Sequence, residues 1–397
     1  MSFVWCDIDQ RALCDNARLF RRLVGDHVIL AMTVKANGYG HGLLESAAAF
    51  LEGGADWLSV HSIEDAEALR AAGIEVPIYI MGPIELAALA RADGLDLRMV
   101  VYNEETVERL IELEVDARLH IKIETGNHRQ GISADEALRL AVRISSGHAG
   151  LKLEGICSHF ANIEDTTDHR YARKQLSIFQ DAVERLASNG HRIPIRHLSN
   201  SAATLLWPDQ QLDLVRVGIS GYGLWPSKET QIAASLAGRG DLSLTPAMHW
   251  KTRIAQIKIV PAGEFIGYGC TFMTSHISKI AILPVGYHDG LDRGLSNLGH
   301  VLCRGQRAPI RGRVCMNMTM VDVTDIAEVA LEDEVVLLGQ QGDEVITAEQ
   351  HASWSGSINY EVVSRIASHL PRRPFLGGKK ENAAAPYRPP QGGELKV

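Results

Sequence analysis

The chain has 397 residues, enough for two ordinary domains, and its 46% hydrophobic content supplies a large core. A net charge of −8, with basic residues spread along the chain, argues against a nucleic-acid partner, and no uncharged stretch reaches membrane-spanning length. The six cysteines lack CxxC spacing and the amino terminus lacks a basic start and apolar run, so a reduced, cytoplasmic protein is expected.

Residues 9–24 place Leu13, Ala17, Leu19, Phe20 and Leu23 at helical spacing. Eight short apolar runs follow, at 28–34, 57–60, 77–81, 97–102, 120–123, 153–158, 195–199 and 214–217. Helical patterns lie between most of them, at 43–51, 63–72, 84–92, 104–113, 134–144 and 171–188. A short one at 202–207 follows the seventh run. Eight strands alternating with helices predict an α/β fold, a (β/α)8 TIM-type barrel over residues 9–235. An open doubly wound sheet is the competing fold, but no GxGxxG follows the first strand. Beyond about residue 235 the runs 252–260, 277–283, 309–314, 319–323 and 334–338 are β-branched and broken by Gly and Pro. They predict a second, mostly β domain of residues 1–8 and 236–378. Residues 379–397 read as a disordered tail.

The first barrel strand ends in Val34-Lys35-Ala36-Asn37-Gly38-Tyr39-Gly40-His41-Gly42. A lysine desolvated at a strand end can serve as a nucleophile or base. The glycines allow backbone to approach a bound group, and the Tyr39 phenol can meet an anion. The segment therefore suggests a Schiff-base lysine beside a phosphate site, against the plainer reading of a surface lysine. Other polar residues fall at ends of barrel strands, where barrel active sites lie: Arg129, His159, Asn200 with Ser201, and Arg216 with Gly218. Their convergence favours the functional reading.

With these residues in place, the chain resembles the alanine racemases, fold-type III enzymes that use pyridoxal 5'-phosphate. The resemblance runs from Ile8 to about Arg373. It is carried by the lysine segment, Asn200-Ser201-Ala202, Arg216-Val217-Gly218-Ile219 with Tyr222-Gly223, and Gly267-Tyr268-Gly269. Gly286-Tyr287, Asp289-Gly290, Arg293, Arg313-Val314-Cys315-Met316 and Asn359-Tyr360-Glu361 complete it. It implies racemisation of L- and D-alanine by two bases on opposite faces, supplying D-alanine for cell-wall synthesis. Lys35 would serve the D face and Tyr268 the L face. A free phenol, with a pKa of about 10, is a poor base at neutrality and needs cationic neighbours. His159 and Arg129 are the candidates.

The resemblance further implies that Tyr39, Asn200, Ser201, Gly218, Ile219 and Tyr360 bind the cofactor, largely through its phosphate. Arg216 would meet the pyridine nitrogen and, being always charged, could only donate to it. Arg129, Met316, Asn317 and Tyr287 would contact the amino-acid substrate. A homodimer with shared active sites is implied. Lys122 would carry a carbamate that holds Arg129, the alternative being an ion pair with Glu124. Asn317, Asn127 and Glu124 depart from the family's usual residues, so a racemase of serine or a basic amino acid stays open. A basic amino-acid decarboxylase is disfavoured by Arg216. A non-catalytic cofactor carrier is disfavoured by the second domain with Tyr268 and Tyr360.

Overall fold

A computed structural model describes residues 2–377; the tail expected at 379–397 lies outside the described residues. Strand β1 (Val4–Asp9) leads into a helix, Gln10–Val24, whose first turn is capped by the Asp9 carboxylate accepting from the Ala12 amide at 3.0 Å. Eight parallel strands follow: β2 (Ile29–Thr33), β3 (Trp57–Val60), β4 (Ile78–Ile80), β5 (Leu97–Val101), β6 (Ala117–Lys122), β7 (Leu151–Cys157), β8 (Ile195–His197) and β9 (Leu214–Val217). Consecutive strands pair from β2 to β8, and β9 pairs with β2. The gap between β8 and β9 is bridged by single bonds, Asp213 N–H to Arg196 O at 3.1 Å and Arg216 N–H to Ser199 O at 3.0 Å. This is the expected barrel, nearly closed.

Every residue of β3, β4, β5 and β9 is buried, as parallel strands covered on both faces require. Ala31, Trp57, Tyr79, Val100, Cys157 and Leu214 form a small cluster separate from the larger core between strands and helices. We assign this cluster to the barrel interior. Covering helices start where capping residues allow: Ser62, Asn103 and Ser133 each accept an amide of the first turn, Ser133 in a reciprocal capping box with Glu136. The expected helix at 84–92 is a 3-10 segment, Leu86–Ala92. Glu85 before it is extended (ψ 138°), so no full α-helical turn precedes the run.

The second domain adds β10 (Met248–Arg253), β11 (Gln256–Val260), β12 (Ser278–Leu283), β13 (His300–Cys303), β14 (Gln306–Pro309), β15 (Thr319–Asp322), β16 (Glu334–Gln341), β17 (Glu344–Ile346) and β18 (Arg372–Phe375). One sheet runs β14-β13-β16-β10-β1-β18, with β17 on β16; a second runs β11-β12-β15. The amino-terminal strand thus lies between strands from residues 248–253 and 372–375. Pro374 sits in β18 at the sheet edge, where a missing N–H is tolerated. Two differences from expectation stand out. The run 252–260 is two strands, and the run 309–314 is not a strand of its own: Pro309 ends β14, and the residues after it make one bridge, Ile310 to Val321.

The two domains meet over the lysine segment. At Gly40 (φ 83°) a Cβ would fall 2.0 Å from the Val363 carbonyl oxygen of the helix Asn359–Ser364. Arg372 Nε donates to Gly40 O at 3.0 Å. The turn that carries Lys35 is therefore clamped from above by the second domain. No helix among the described residues is long and apolar enough to cross a membrane.

Candidate active site

Lys35 opens a tight turn immediately after β2. Ala36, Asn37 and Tyr39 all have positive φ (54°, 54° and 50°). For a non-glycine residue this costs on the order of 1–3 kcal/mol. The turn is held by Gly38 N–H to Val34 O at 2.8 Å and by the Asn37 side-chain oxygen accepting from Leu43 N at 3.0 Å. The strained turn directs Lys35 into a cavity of about 570 Å³ at the carboxyl ends of the barrel strands, a volume suited to a small cofactor with its substrate.

The same cavity is lined by Tyr39, Lys122, Arg129, His159, Asn200, Ser201, Arg216, Gly218, Ile219 and Tyr360. Eleven of the expected site residues, counting Lys35, are therefore brought together. Four are not: Tyr268, Tyr287, Met316 and Asn317 lie outside this lining. Tyr268 sits in a turn of the second domain, Tyr268–Cys270, with 73% of its surface exposed. Met316 and Asn317 are exposed, and Tyr287 borders a separate hollow with Arg293 and Arg365.

Electrostatics in the cavity are dominated by cations: Arg216 is buried, Lys35 and Lys122 are half-buried and Arg129 is exposed. Burial lowers the Lys35 pKa, and Arg129 and Arg216 lower it further, while Glu164 opposes them. His159 is held well below the ordinary histidine range by burial and by Arg216, Lys122, Arg129 and Lys35, so it is neutral and, contrary to expectation, is not a cationic neighbour for a phenol. Burial brings Lys122 down to about 8. Its Nζ donates to Gln130 Oε1 at 3.0 Å, and Gln130 in turn donates to the Tyr102 hydroxyl at 3.2 Å. The Glu124 carboxylate instead accepts the Gly126 amide.

At one end of the cavity, Ser201 Oγ accepts from the Gly218 amide at 2.9 Å. A Cβ on Gly218 would lie 2.6 Å from the Tyr39 hydroxyl, so glycine is what lets the phenol approach this backbone. Tyr360 stands beside Tyr39, ring centroids 6.3 Å apart. Arg216 donates from Nη2 to the carbonyls of Ser158 at 2.8 Å and Leu198 at 3.2 Å, and from Nη1 to His197. Glu164, in the loop after β7, was not foreseen. Its carboxylate accepts from Asn200 Nδ2 at 2.7 Å and from the Tyr360 hydroxyl at 2.9 Å, and burial raises its pKa. That loop has no periodicity, and only the fold brings it against Asn200 and Tyr360. Gln130 and Tyr79 are further lining residues the sequence pattern did not single out.

Fold and site together define a class: a barrel protein with a half-buried, cation-flanked lysine at the end of its first strand and a mostly β second domain closing over that lysine's turn. Comparison with known proteins narrows it. Residues 8–226 match the family model of the alanine racemase N-terminal domain, and residues 247–374 that of the alanine racemase C-terminal domain. An alanine racemase of Leptospira interrogans is 41% identical over 371 residues, 93% of this chain and 95% of the relative. One from Halothermothrix orenii is 40% identical over 372 residues, covering 93% and 96%. The crystal structure of alanine racemase from Bacillus anthracis with bound L-Ala-P superposes with a TM-score of 0.89 at 33% identity, over 96% of each chain. That from E. faecalis gives 0.87 at 32%, covering 94% of this chain and 98% of the other. The chain belongs to the alanine racemase family.

Proposed function

We propose that this chain interconverts L-alanine and D-alanine with pyridoxal 5'-phosphate as cofactor, supplying D-alanine for cell-wall synthesis in the cytoplasm. The observation that carries the reading is Lys35, half-buried, depressed in pKa and facing the same cavity as Arg216, Ser201, Gly218 and Tyr360. All six cysteines are free, which suits a reducing compartment.

The residues fit the cofactor. Lys35 with a lowered pKa is an amine able to bond an aldehyde. Ser201, the Gly218 and Ile219 backbone, Tyr39 and Tyr360 form a cradle for a phosphate, with Asn200 bracing Ser201's helix by accepting from Ala203 N at 3.0 Å. When bound, the cofactor supplies an electron sink for the α-carbon's electron pair. Arg216 can place only donors at that ring, so it accepts no proton and hands none over. Lys35 holds and moves the α-proton on one face. Tyr268 does so on the other, with His159 and Arg129 orienting phenol and substrate carboxylate. Arg129, Met316, Asn317 and Tyr287 shape the substrate's end of the site. The depressed pKa of Lys122 leaves a fraction of neutral amine, the form that takes up carbon dioxide as a carbamate to hold Arg129.

Tyr268 belongs to the site only if a second copy supplies it. Its exposure, with that of Met316 and Asn317, and their absence from the chain's own cavity support a homodimer in which each second domain completes the partner's barrel mouth. Racemisation rates over a panel of L-amino acids test the reading. Alanine should lead, and a clear lead for serine or a basic amino acid would favour the alternative that Asn317, Asn127 and Glu124 leave open. No racemisation of any of them would overturn both.

A further inference from the structure

From the cavity wall a row of polar side chains runs down the inside of the barrel, away from the site. Arg216 Nη1 meets His197 Nδ1. His197 Nε2 is 2.7 Å from His120 Nδ1, and His120 Nε2 is 3.1 Å from Glu154 Oε2. Glu154 is also paired with Arg98 at 3.4 Å and Arg118 at 3.3 Å. Both imidazoles are completely buried, with the Tyr79 ring centroid 5.0 Å from His120 and 5.2 Å from His197. The row sits in a slot made for it. A Cβ on Gly155 would lie 2.2 Å from His120 Nδ1, and the β6–β7 pairing shifts register at Leu119/His120 to bring Gly155 opposite His120.

The chemistry of the two ends fixes the protons between them. Arginine only donates, so His197 Nδ1 must accept. The His197 proton is then on Nε2 and points at His120 Nδ1, which must accept in turn. The His120 proton is therefore on Nε2 and is given to Glu154, whose ionised carboxylate can only accept. Burial holds both imidazoles below the ordinary histidine range, with Arg216 lowering each further, so both are neutral. Burial alone would raise the Glu154 pKa, but the His120 hydrogen bond and the Arg98 and Arg118 guanidiniums outweigh it and the group stays ionised. Three of the five Arg216 N–H bonds are taken by His197, Ser158 and Leu198, which leaves two for the cavity.

We propose that His120 and Glu154 are positioning residues for the reaction: through His197 they fix the plane of Arg216 and offset its buried charge from the opposite end of the barrel. The inference rests on the reading that Arg216 faces the bound cofactor. A guanidinium buried without compensation would be costly, and a chain of polarised hydrogen bonds ending in a carboxylate supplies the counter-charge without a base beside the ring. The proposal extends the site to two residues that do not line the cavity.

The test is a nitrogen-15 map of the histidine tautomers in the cofactor-loaded protein and in the protein freed of cofactor, followed by Glu154→Gln. In both forms His197 and His120 should carry their single proton on Nε2 between pH 6.5 and 9. Glu154→Gln keeps the shape and an acceptor but removes the charge. It should reduce kcat roughly 3- to 30-fold with little change in KM, shift the visible absorbance of the loaded protein, and move the His120 and His197 nitrogen shifts. A proton on Nδ1 of either ring, or doubly protonated rings, would overturn the proposal whether or not the variant folds. So would a folded Glu154→Gln protein with wild-type turnover, absorbance and nitrogen shifts. Failure of the racemase reading is separate: it would appear as absent alanine turnover in the wild type, with the tautomer map intact.

Discussion

At the barrel mouth, Arg216, Asn200 and Ser201 are buried and hydrogen-bonded to residues of the segments that follow β7 and β9. On the second domain, Tyr268 is 73% exposed, Met316 55% and Tyr287 43%. Such exposure of large apolar or aromatic groups is what the proposed homodimer would cover. The barrel gathers its expected site residues in one cavity; on the proposed reading, the second domain presents residues that complete the pocket of a second copy. The contrast explains why one chain can hold eleven site residues together and leave four outside.

The largest effect should come from the barrel side. Lys35→Ala should lose activity by roughly 10⁴-fold or more, since the proposed covalent anchor and base would go together. Borohydride treatment of the wild type followed by peptide mapping should place the cofactor label on Lys35. Label on a lysine other than Lys35 would sink the assignment, and label on one outside the cavity would remove the barrel mouth from the chemistry altogether.

Next comes the second-domain side. Tyr268→Phe should slow α-proton exchange from L-alanine by roughly 10²- to 10⁴-fold and from D-alanine much less. Equal losses from both enantiomers would mean that the exposed phenol is not a face-specific base.

A steric change sharpens the barrel half. Gly155→Ala puts a methyl 2.2 Å from His120 Nδ1 and should cost on the order of 1–3 kcal/mol in urea unfolding. An unchanged midpoint would show that the slot around His120 has slack.

Buried imidazoles give a pH signature of similar size per group. His41, in the lysine segment, and His351, in the second domain, are lowered by burial to about 4. The unfolded chain has its histidines near 6.5, so it binds more protons than the folded one below that pH. Their stabilisation is therefore full above pH 6.5 and is lost as pH falls toward 4, by about 2 kcal/mol per group at pH 5. His120, His159 and His197 act in the same direction and all lie in the barrel. Unfolding followed by probes in each domain should therefore show the barrel weakening more on acidification. A flat profile between pH 7 and 5 would contradict this burial.

How much of this was legible in the sequence depended on range. Each of the eight barrel strands overlaps its apolar run because burial on both faces leaves an unbroken hydrophobic signal. That Lys35, Arg129, His159, Asn200 and Arg216 share one cavity was legible because strand ends mark the active face of a barrel. Strands β13 and β14 were missed: β14 is Gln306-Arg307-Ala308-Pro309, half of it exposed at a sheet edge, with no β-branched residue. Glu164 was missed because its loop carries no period, and its partners Asn200 and Tyr360 are 36 and 196 residues away. The His197–His120 contact joins residues 77 apart, and only barrel closure brings them within 2.7 Å.

The central claim is that neither half of this chain makes a complete site without a second copy. Its most direct test is complementation in mixed dimers of Lys35→Ala and Tyr268→Ala chains, each inactive alone. A mixed dimer holds one site with both defects and one with neither, so mixing under conditions of subunit exchange should restore activity approaching a quarter of wild type when the chains are equimolar and pair at random. Mixed dimers that demonstrably form and stay inactive would contradict the account and place Lys35 and Tyr268 of one chain in the same pocket.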